Sequence, residues 1–542
     1  LDKARFGVSL DPLPAMFSLA VYVLSFLLIL RLLDLATSVL TMLCGFLFLG
    51  SVGIVCQMSF GYMAITFAVS FFLAVLSVWV LLVPAESVPG FFTQCAASSS
   101  SLRIKKRGAR FSSLSILRIL LSSVCIALMM GCYQAGIGTT ALVSLFVLLY
   151  SFAAPRRASG KKSGSPDGRE GSFLPKATGV SPKGAYSSCD RAAGNHPGNA
   201  FLPSDPSSRI RFVMKLFLSV LFGGILYVLL LKLRLWQTGT QASDYQGFSS
   251  ISPLYILNGI PCALRHCYRA ALGYFVNGTF LSNALERHSW FPVFYLPVLL
   301  LCLLVFVRIF RKSKAESILF LIGLFLIPAA ANCFYLAAPE TETHMQMVVS
   351  MGLILPLLLG FAGDFLPAGC AFFKTSSSAW KIPAALLVLD AVILIYGNVL
   401  QCETDQYAMY AGRRATQTLA ESILTEANRQ GYDYVEGQLL ITGAPASSRT
   451  FYTAPLFEKA NAYAQYGRWS DDVSFSRVSW SKFYSNYLRI NVSFAAGDTE
   501  ATIAALPEVA AMPSYPAAGS VQNIYGVLVV KLGGAEHSVA VP

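Results

Sequence analysis

The feature that most constrains this chain is a series of apolar stretches, each close to 20 residues long. Phe17–Leu33, Leu216–Leu231, Phe291–Val307 and Ile382–Val399 are typical examples. A helix of about 20 apolar residues is long enough to cross the hydrocarbon core of a membrane. A core helix of a soluble protein carries a polar stripe, and these stretches show none. The pattern therefore predicts a polytopic α-helical membrane protein.

The order of these stretches predicts about ten transmembrane helices. They are expected near residues 14–33, 35–55, 62–83, 114–132, 136–153, 212–233, 291–310, 316–337, 345–366 and 382–400. Basic residues concentrate in four of the connecting loops, near residues 103–110, 156–183, 308–314 and 374–381. Cytoplasmic loops are rich in Lys and Arg, so these four are predicted to be cytoplasmic. The formal charge of +13 is thereby explained by topology, and a nucleic-acid partner is not expected.

This orientation divides the chain into a membrane body, residues 1–400, and a region from 401 to 542 on the extracytoplasmic side. Within the body, residues 155–208 are rich in Gly, Ser, Pro and Lys and predict a disordered cytoplasmic loop. The region 401–542 carries charges of both signs and is expected to form a small α/β domain. Its predicted elements are helices at Tyr410–Gln430 and Phe483–Leu488 and strands at Gln438–Thr442 and Tyr525–Lys531.

Polar residues gather at the predicted outer face. The first cluster is Asp2, Lys3, Arg5 and Asp11; others are Gln57 with Tyr62, Tyr133 with Gln134, and Asn332 with Glu340, Glu342, His344 and Gln346. A longer outer loop adds Arg234, Asp244, Tyr245, Arg265, His266 and Arg269. If they surround one cavity, cations suit a phosphate, rings suit a sugar face, and a carboxylate suits a general base. The alternative, that each is an interfacial anchor, stays open.

Several short motifs appear in a familiar order along almost the whole chain. They include Gln57–Tyr62, Gly131–Ala135, Ser243–Gly247, Leu439–Gly443 and Met512–Pro516. Together they resemble the bacterial membrane glucosyltransferase family typified by serotype-converting O-antigen glucosyltransferases, known as glucosyl transferase type II. The resemblance implies a GT-C type enzyme with its active site on the outer face. Such an enzyme takes glucose from a polyprenyl-phosphate carrier and adds it to a cell-surface polysaccharide.

The polar clusters at the predicted outer face supply the candidate site residues. Catalysis is expected from Asp2, Glu340 and Glu342, and substrate binding from Arg5, Gln57, Tyr62, Tyr133, Gln134, Arg234, Tyr245, Arg265, Arg269, Asn332 and His344. No metal site is expected, and the polyprenyl-phosphate sugar is a donor substrate, with no further cofactor implied. The acidic loop that serves the family in catalysis would lie mostly before Leu1, so we expect an N-terminal truncation and little or no transfer by this chain.

The expected location is the cell membrane, with membrane lipid, a lipid-linked sugar donor and a surface glycan acceptor as partners. Two other functions stay open at this point: a flippase or transporter of lipid-linked glycans, and a polysaccharide polymerase. A transporter usually shows internal repeats among its helices, and the sequence shows none. The extramembrane C-terminal region also favours a transferase.

Overall fold

The structure is a computed structural model of the chain. It describes residues 12–33, 35, 39–60, 63–83, 113–153, 202–203, 205–239, 253–275, 291–338, 345–365, 381–445, 455–466 and 476–533. The following statements concern these residues.

Long helices dominate the first 430 residues. They are α1 (Pro12–Leu33), α2 (Val39–Leu49), α3 (Val52–Ser59), α4 (Ala64–Leu82), α5 (Ser113–Cys132), α6 (Gly136–Ala153), α7 (Pro206–Thr238), α8 (Pro253–Phe275), α9 (Leu296–Lys312), α10 (Lys314–Ala331), α11 (Ile354–Phe365) and α12 (Lys381–Arg429). In the described part of the chain, eight helices are long and apolar enough to cross a membrane, or nine if α2 and α3 form one span. A polytopic helical protein is thereby confirmed, with fewer unbroken spans than the ten predicted.

Two predicted spans are interrupted. The span predicted near 35–55 consists of α2 and α3, which meet at an angle of 46°. The span predicted near 345–366 begins as the 3-10 segment Met345–Leu353 and continues as α11. The sequence prediction also missed α8, which lies where a long outer loop was expected. This helix has an apolar and a polar face, so its hydropathy does not mark it as a span.

The two ends of the bundle bring together different loops. At the end predicted to be cytoplasmic, Arg209 near the start of α7 donates to the Glu316 carboxylate on α10 at 2.9 Å and to the Ser151 carbonyl on α6 at 2.7 Å. At the other end, α3, the α5–α6 turn and the 3-10 segment Met345–Leu353 meet. Among the described helices, α6 therefore runs from the cavity end to the Arg209 end, and α10 runs in the opposite direction.

The last membrane helix continues far beyond its apolar part. The prediction placed a span at 382–400 and a separate helix at Tyr410–Gln430, whereas α12 runs unbroken from Lys381 to Arg429. Its 49 residues give a length of about 73 Å, more than twice the thickness of the hydrocarbon core. The residues that follow the apolar part thus belong to the same helix as the last predicted span.

A three-stranded sheet packs against the far end of α12. Strand β1 (Gln438–Thr442) runs parallel to β3 (Val527–Lys531), and β2 (Val521–Ile524) runs antiparallel to β3, in the order β1-β3-β2. One face buries Leu528 and Val530 with Leu419 and Ile423 of α12. The other face packs on the short helices, which are α15 (Asp498–Ala504) and α16 (Pro507–Ala511).

Two details of this region differ from the prediction. The strand expected from Tyr525 begins at Val527, because Tyr525 (φ 49°) and Gly526 (φ 85°) form the tight turn after β2. The helix expected at Phe483–Leu488 is present as a π-helix that follows α14 (Arg477–Lys482). Before it, α13 (Pro455–Tyr463) packs against α12.

Candidate functional site

A small, half-open cavity lies at the bundle end opposite to Arg209. Four parts of the membrane body form it: the end of α3, the first half of α4, the α5–α6 turn with the start of α6, and the 3-10 segment Met345–Leu353. Its lining residues are Gln57, Phe67, Ser70, Phe71, Tyr133, Ala135, Gly136, Thr139, Gln346, Met347, Val349 and Ser350. The cavity thus joins three regions that the sequence analysis assigned to the outer face.

Gln57 connects three of the surrounding elements and is only 3% exposed. Its side-chain oxygen accepts a hydrogen bond from the hydroxyl of Tyr22 on α1. Its amide nitrogen donates to the backbone carbonyl of Gln346 at 2.6 Å. One amide therefore fixes the 3-10 segment and α1 relative to α3, and its second N–H is the part available for a ligand.

The α5–α6 turn is held against α4 by a small polar contact. The hydroxyl of Ser70 lies within hydrogen-bond distance of the carbonyl oxygens of Tyr133 at 3.0 Å and Met129 at 3.2 Å. A Cβ on Gly136 would lie 2.7 Å from the Ser70 oxygen, so only glycine permits this approach. The ring of Tyr133 packs edge-on against Phe67, with centroids 4.7 Å apart. The turn therefore presents an aromatic edge to the cavity.

The 3-10 segment fits closely between α3 and α6. A Cβ on Gly138 would overlap the carbonyl oxygen of Ala331, which accepts a hydrogen bond from the Ser350 hydroxyl at 2.7 Å. On the other side, a Cβ on Gly53 would lie 3.2 Å from the Cα of Val349. The cavity wall formed by this segment is thus set by close backbone packing.

The lining suits a neutral, hydroxyl-rich ligand. Amide and hydroxyl groups of Gln57, Gln346, Ser70 and Thr139 supply donors and acceptors, and Phe67, Phe71 and Tyr133 supply ring surfaces. Among the described lining residues there is no carboxylate, so none of them can supply a general base.

The structure brings some of the predicted site residues together and separates others. Gln57 and Tyr133 share the cavity, whereas Gln134 faces away and donates to the Tyr227 hydroxyl of α7 at 3.1 Å. Asn332 is buried at the end of α10, where its amide donates to the Pro328 carbonyl at 3.1 Å. The four cations predicted to bind phosphate are all exposed on α7 and α8, and none of them lines the cavity: Lys232, Arg234, Arg265 and Arg269.

The remaining predicted residues lie outside the described part of the chain. They are Asp2, Arg5, Tyr62, Tyr245, Glu340, Glu342 and His344. The predicted catalytic acids and several predicted binding residues therefore stay predictions. Across the described residues, no group of three or more His, Cys, Asp or Glu side chains is placed to hold a metal ion.

A second polar cluster, which the sequence analysis missed, lies where α3 meets α12. Asp405 is fully buried, and its Oδ1 accepts from the Gln401 amide at 3.2 Å and the Gln465 backbone N–H at 2.5 Å. Nearby, the Gln406 amide donates to the Ser59 hydroxyl at 2.6 Å and the Tyr466 hydroxyl at 2.9 Å. Asp405 lies six residues beyond Val399, where the apolar part of α12 ends, and burial raises the pKa of its carboxyl to about 7.

Ser70, Thr139 and Ser350 were also missed as lining residues. The sequence feature that could have predicted them is a small polar residue inside an otherwise apolar segment, which in membrane proteins often marks a contact between helices. That signal is shared by many residues of this chain, and Ser25 and Ser77 are examples that contact only backbone carbonyls. It therefore does not single out a site.

Comparison with known proteins bears on the same part of the chain. Residues 1–160 match the family model described as Glucosyl transferase GtrII. This match confirms the predicted family resemblance. Eight of the twelve lining residues, from Gln57 to Thr139, fall within the GtrII-matched segment. The comparisons with curated proteins and with solved structures gave no match.

Proposed function

We propose that this chain is a membrane glucosyltransferase that works on the outer face of the membrane. It transfers glucose from a polyprenyl-phosphate carrier to a cell-surface polysaccharide. The observation that carries the proposal is the cavity itself: most of its lining lies in the segment that matches a glucosyltransferase family, and its chemistry suits a sugar. The GT-C class is proposed on the same basis, because such enzymes combine a multi-helix body with an outer active site.

The proposed orientation places the cavity, α8 and the sheet region on the extracytoplasmic side. Two observations support it. The basic stretches follow α4, α6, α9 and α11 in sequence, and the one that the structure describes, residues 308–314, adjoins Glu316, which pairs with Arg209 at the bundle end opposite to the cavity. The cavity forms at the sparsely charged end, where positive-inside counting predicts the outer face.

Within this proposal, the donor phosphate is bound by the exposed cations of α7 and α8. Arg265 and Arg269 are four residues apart, so they project from the same side of α8. A guanidinium holds phosphate oxygens by charge-assisted hydrogen bonds, each of about 1.5–3 kcal/mol. Glu340 and Glu342 shortly precede the lining residue Gln346 in sequence and are proposed to supply carboxylates beside the sugar. In that role one of them accepts the proton of the acceptor hydroxyl.

The variant Gln346→Ala tests the cavity most cleanly. Its side chain lines the cavity, while the hydrogen bond to Gln57 uses its backbone carbonyl and is retained. The natural full-length protein is reconstituted with radiolabelled glucosyl-phosphoryl-polyprenol and envelope polysaccharide as acceptor. Loss of one ligand hydrogen bond, about 0.5–1.5 kcal/mol, predicts a 2- to 12-fold fall in kcat/KM.

Gln430→Ala is the matched control, because this exposed glutamine after α12 bonds only to Glu426. The control should keep the wild-type rate, and both variants should elute and melt like the wild type. If Gln346→Ala transfers glucose at the wild-type rate, the cavity is not the sugar site. If the wild type moves the lipid-linked sugar across the membrane without transferring it, the protein is a transporter.

A further inference from the structure

The exposed sides of α12 and of the π-helix Phe483–Leu488 carry rings and guanidinium groups that contact each other in two sets. Phe483 and Tyr487 stack with centroids 5.0 Å apart and an interplanar angle of 26°. The Arg413 guanidinium lies over Tyr487, 5.7 Å from the ring centroid, and Arg414 lies 5.9 Å from the centroid of Tyr410. These five residues are called here the aromatic–arginine surface. Tyr410 is 55% and Tyr487 is 43% exposed, so both rings face solvent.

A rigid base supports this surface. Trp480 and Tyr484, which flank Phe483, are fully buried, and the Tyr484 hydroxyl donates to the Ala420 carbonyl of α12 at 3.1 Å. The π-helix ends at Arg489, which has a left-handed backbone (φ 62°). π-helical turns are rare and frequently occur at functional sites. The exposed rings are therefore fixed in position before any partner binds.

The charge of the surface is not neutralised by its neighbours. Neither Arg413 nor Arg414 forms an ion pair with a carboxylate in the described part of the chain. Lys482 and Arg489, at the two ends of the π-helix, are also exposed and basic. A partner that combines anionic groups with apolar ring faces would complement both features.

The distance from the membrane indicates which kind of partner fits. Tyr410 and Arg414 follow Val399 by 11 and 15 residues on one unbroken helix, which places them about 16 and 22 Å beyond the apolar part. The headgroup layer extends only about 5–8 Å beyond the hydrocarbon core on each side. The surface is thus above the lipid headgroups and is reached by a soluble polymer rather than by the membrane.

We propose that the aromatic–arginine surface binds an anionic polysaccharide, with sugar rings on Tyr410 and Tyr487 and carboxylate or phosphodiester groups on Arg413 and Arg414. This inference rests on the proposed function in one respect: such a polymer would be the glucose acceptor. Bound at this surface, the polymer is held on the same side of the membrane as the cavity. The surface therefore acts in acceptor selection, apart from the reacting atoms.

Binding is measured on the full detergent-solubilised chain by affinity electrophoresis, in the absence of donor. The probes are polygalacturonate, poly(glycerol phosphate), neutral dextran and vesicles with anionic lipids. We expect one or both anionic polymers to retard the protein, in a manner that weakens with salt, and dextran and vesicles to have no comparable effect. Retardation by only one polymer identifies the anionic group as carboxylate or phosphodiester.

Arg413→Ala and Tyr487→Ala should each weaken polymer binding at least tenfold, while Tyr487→Phe should retain it because the ring is kept. Arg429→Ala is the control, since this exposed arginine on the same helix pairs with Glu426 at 3.3 Å and lies outside the surface. Absence of polymer binding, equal binding by all variants, or stronger binding to vesicles would overturn the proposal. Gln346→Ala should bind the polymer normally, so a wild-type rate of transfer by this variant, together with polymer binding by the wild type, would count against the cavity alone.

Discussion

Gln57 was predicted from sequence to bind substrate, and the structure gives it a measurable structural role as well. Replacing it with methionine keeps the length of the side chain and removes both hydrogen bonds. The Tyr22 hydroxyl and the Gln346 carbonyl then lose their partner inside the bundle. A buried polar group left unsatisfied costs about 1–3 kcal/mol, so Gln57→Met should lower the free energy of unfolding by about 2–6 kcal/mol.

A double-mutant cycle isolates the part of this cost that belongs to Tyr22. Tyr22→Phe alone leaves the Gln57 oxygen without its donor, but in the double variant Tyr22→Phe/Gln57→Met neither partner of that bond remains. The double variant should therefore be about 1–3 kcal/mol more stable than the sum of the single effects predicts. Unfolding in mixed micelles with increasing SDS, followed by tryptophan fluorescence, gives the difference in free energy of unfolding between the wild type and each of the three variants.

The matched control is Gln134→Met, because Gln134 bonds to the half-buried Tyr227 at the rim of the bundle. This variant should lose at most about 1.5 kcal/mol. If Gln57→Met is as stable as the wild type, or if the single effects simply add, the amide does not connect the three elements as described.

Three further predictions concern other contacts of the body. Gly138→Ala should destabilise the protein by about 1–3 kcal/mol, because the added Cβ overlaps a backbone carbonyl of α10. Gly224→Ala is the control and should not destabilise it, because its added Cβ meets nothing within 4 Å. Equal melting temperatures of the two variants would contradict the packing described. Arg209→Met should cost about 1.5–3 kcal/mol by removing its 2.9 Å contact with the half-buried Glu316 carboxylate, and the cost should be smaller in a Glu316→Leu background; a fully additive double variant would contradict the ion pair. The melting temperature of the wild type should fall as pH rises from about 4 to 7. Burial raises the pKa of Asp405 from 3.8 to about 7, so in this range the folded state holds a proton that the unfolded state has released. Asp405→Asn should remove this dependence of the melting temperature on pH, and an unchanged dependence would assign it to another group.

Hydropathy predicted most of the helices because each is a local property of about 20 residues. The span predicted at 136–153 coincides with α6, and most other described spans differ by a few residues at each end. The continuation of α12 was not predictable in the same way. Its apolar pattern stops at Val399, and most of the residues from there to Tyr410 are polar, so hydropathy gives no sign that the helix goes on. In the structure, this part of α12 packs against α13 through Ala408, Ala411 and Ala415.

The candidate site was predictable only in part, because its contacts join distant parts of the chain. Gln57 and Gln346 are 289 residues apart, and no local pattern indicates that one amide would bond to the other's carbonyl. The 3-10 geometry of Met345–Leu353 likewise depends on close approach to Gly53 and Gly138. Asp405 was overlooked because its burial depends on Gln465, 60 residues later. The sequence indicated which end of the bundle carries the polar groups, and the structure is needed to choose among them.

The central claim is that glucose moves from a lipid carrier to a glycan on the outer face. The direct test uses right-side-out membrane vesicles that contain the natural full-length protein. Glucosyl-phosphoryl-polyprenol is preloaded into the vesicle membrane, and the acceptor polysaccharide is added outside. The account predicts protein-dependent transfer of labelled glucose to the external polysaccharide, with release of polyprenyl phosphate and no requirement for a sugar nucleotide. Transfer that requires a sugar nucleotide inside the vesicle, or no transfer with an intact donor and acceptor, would contradict it.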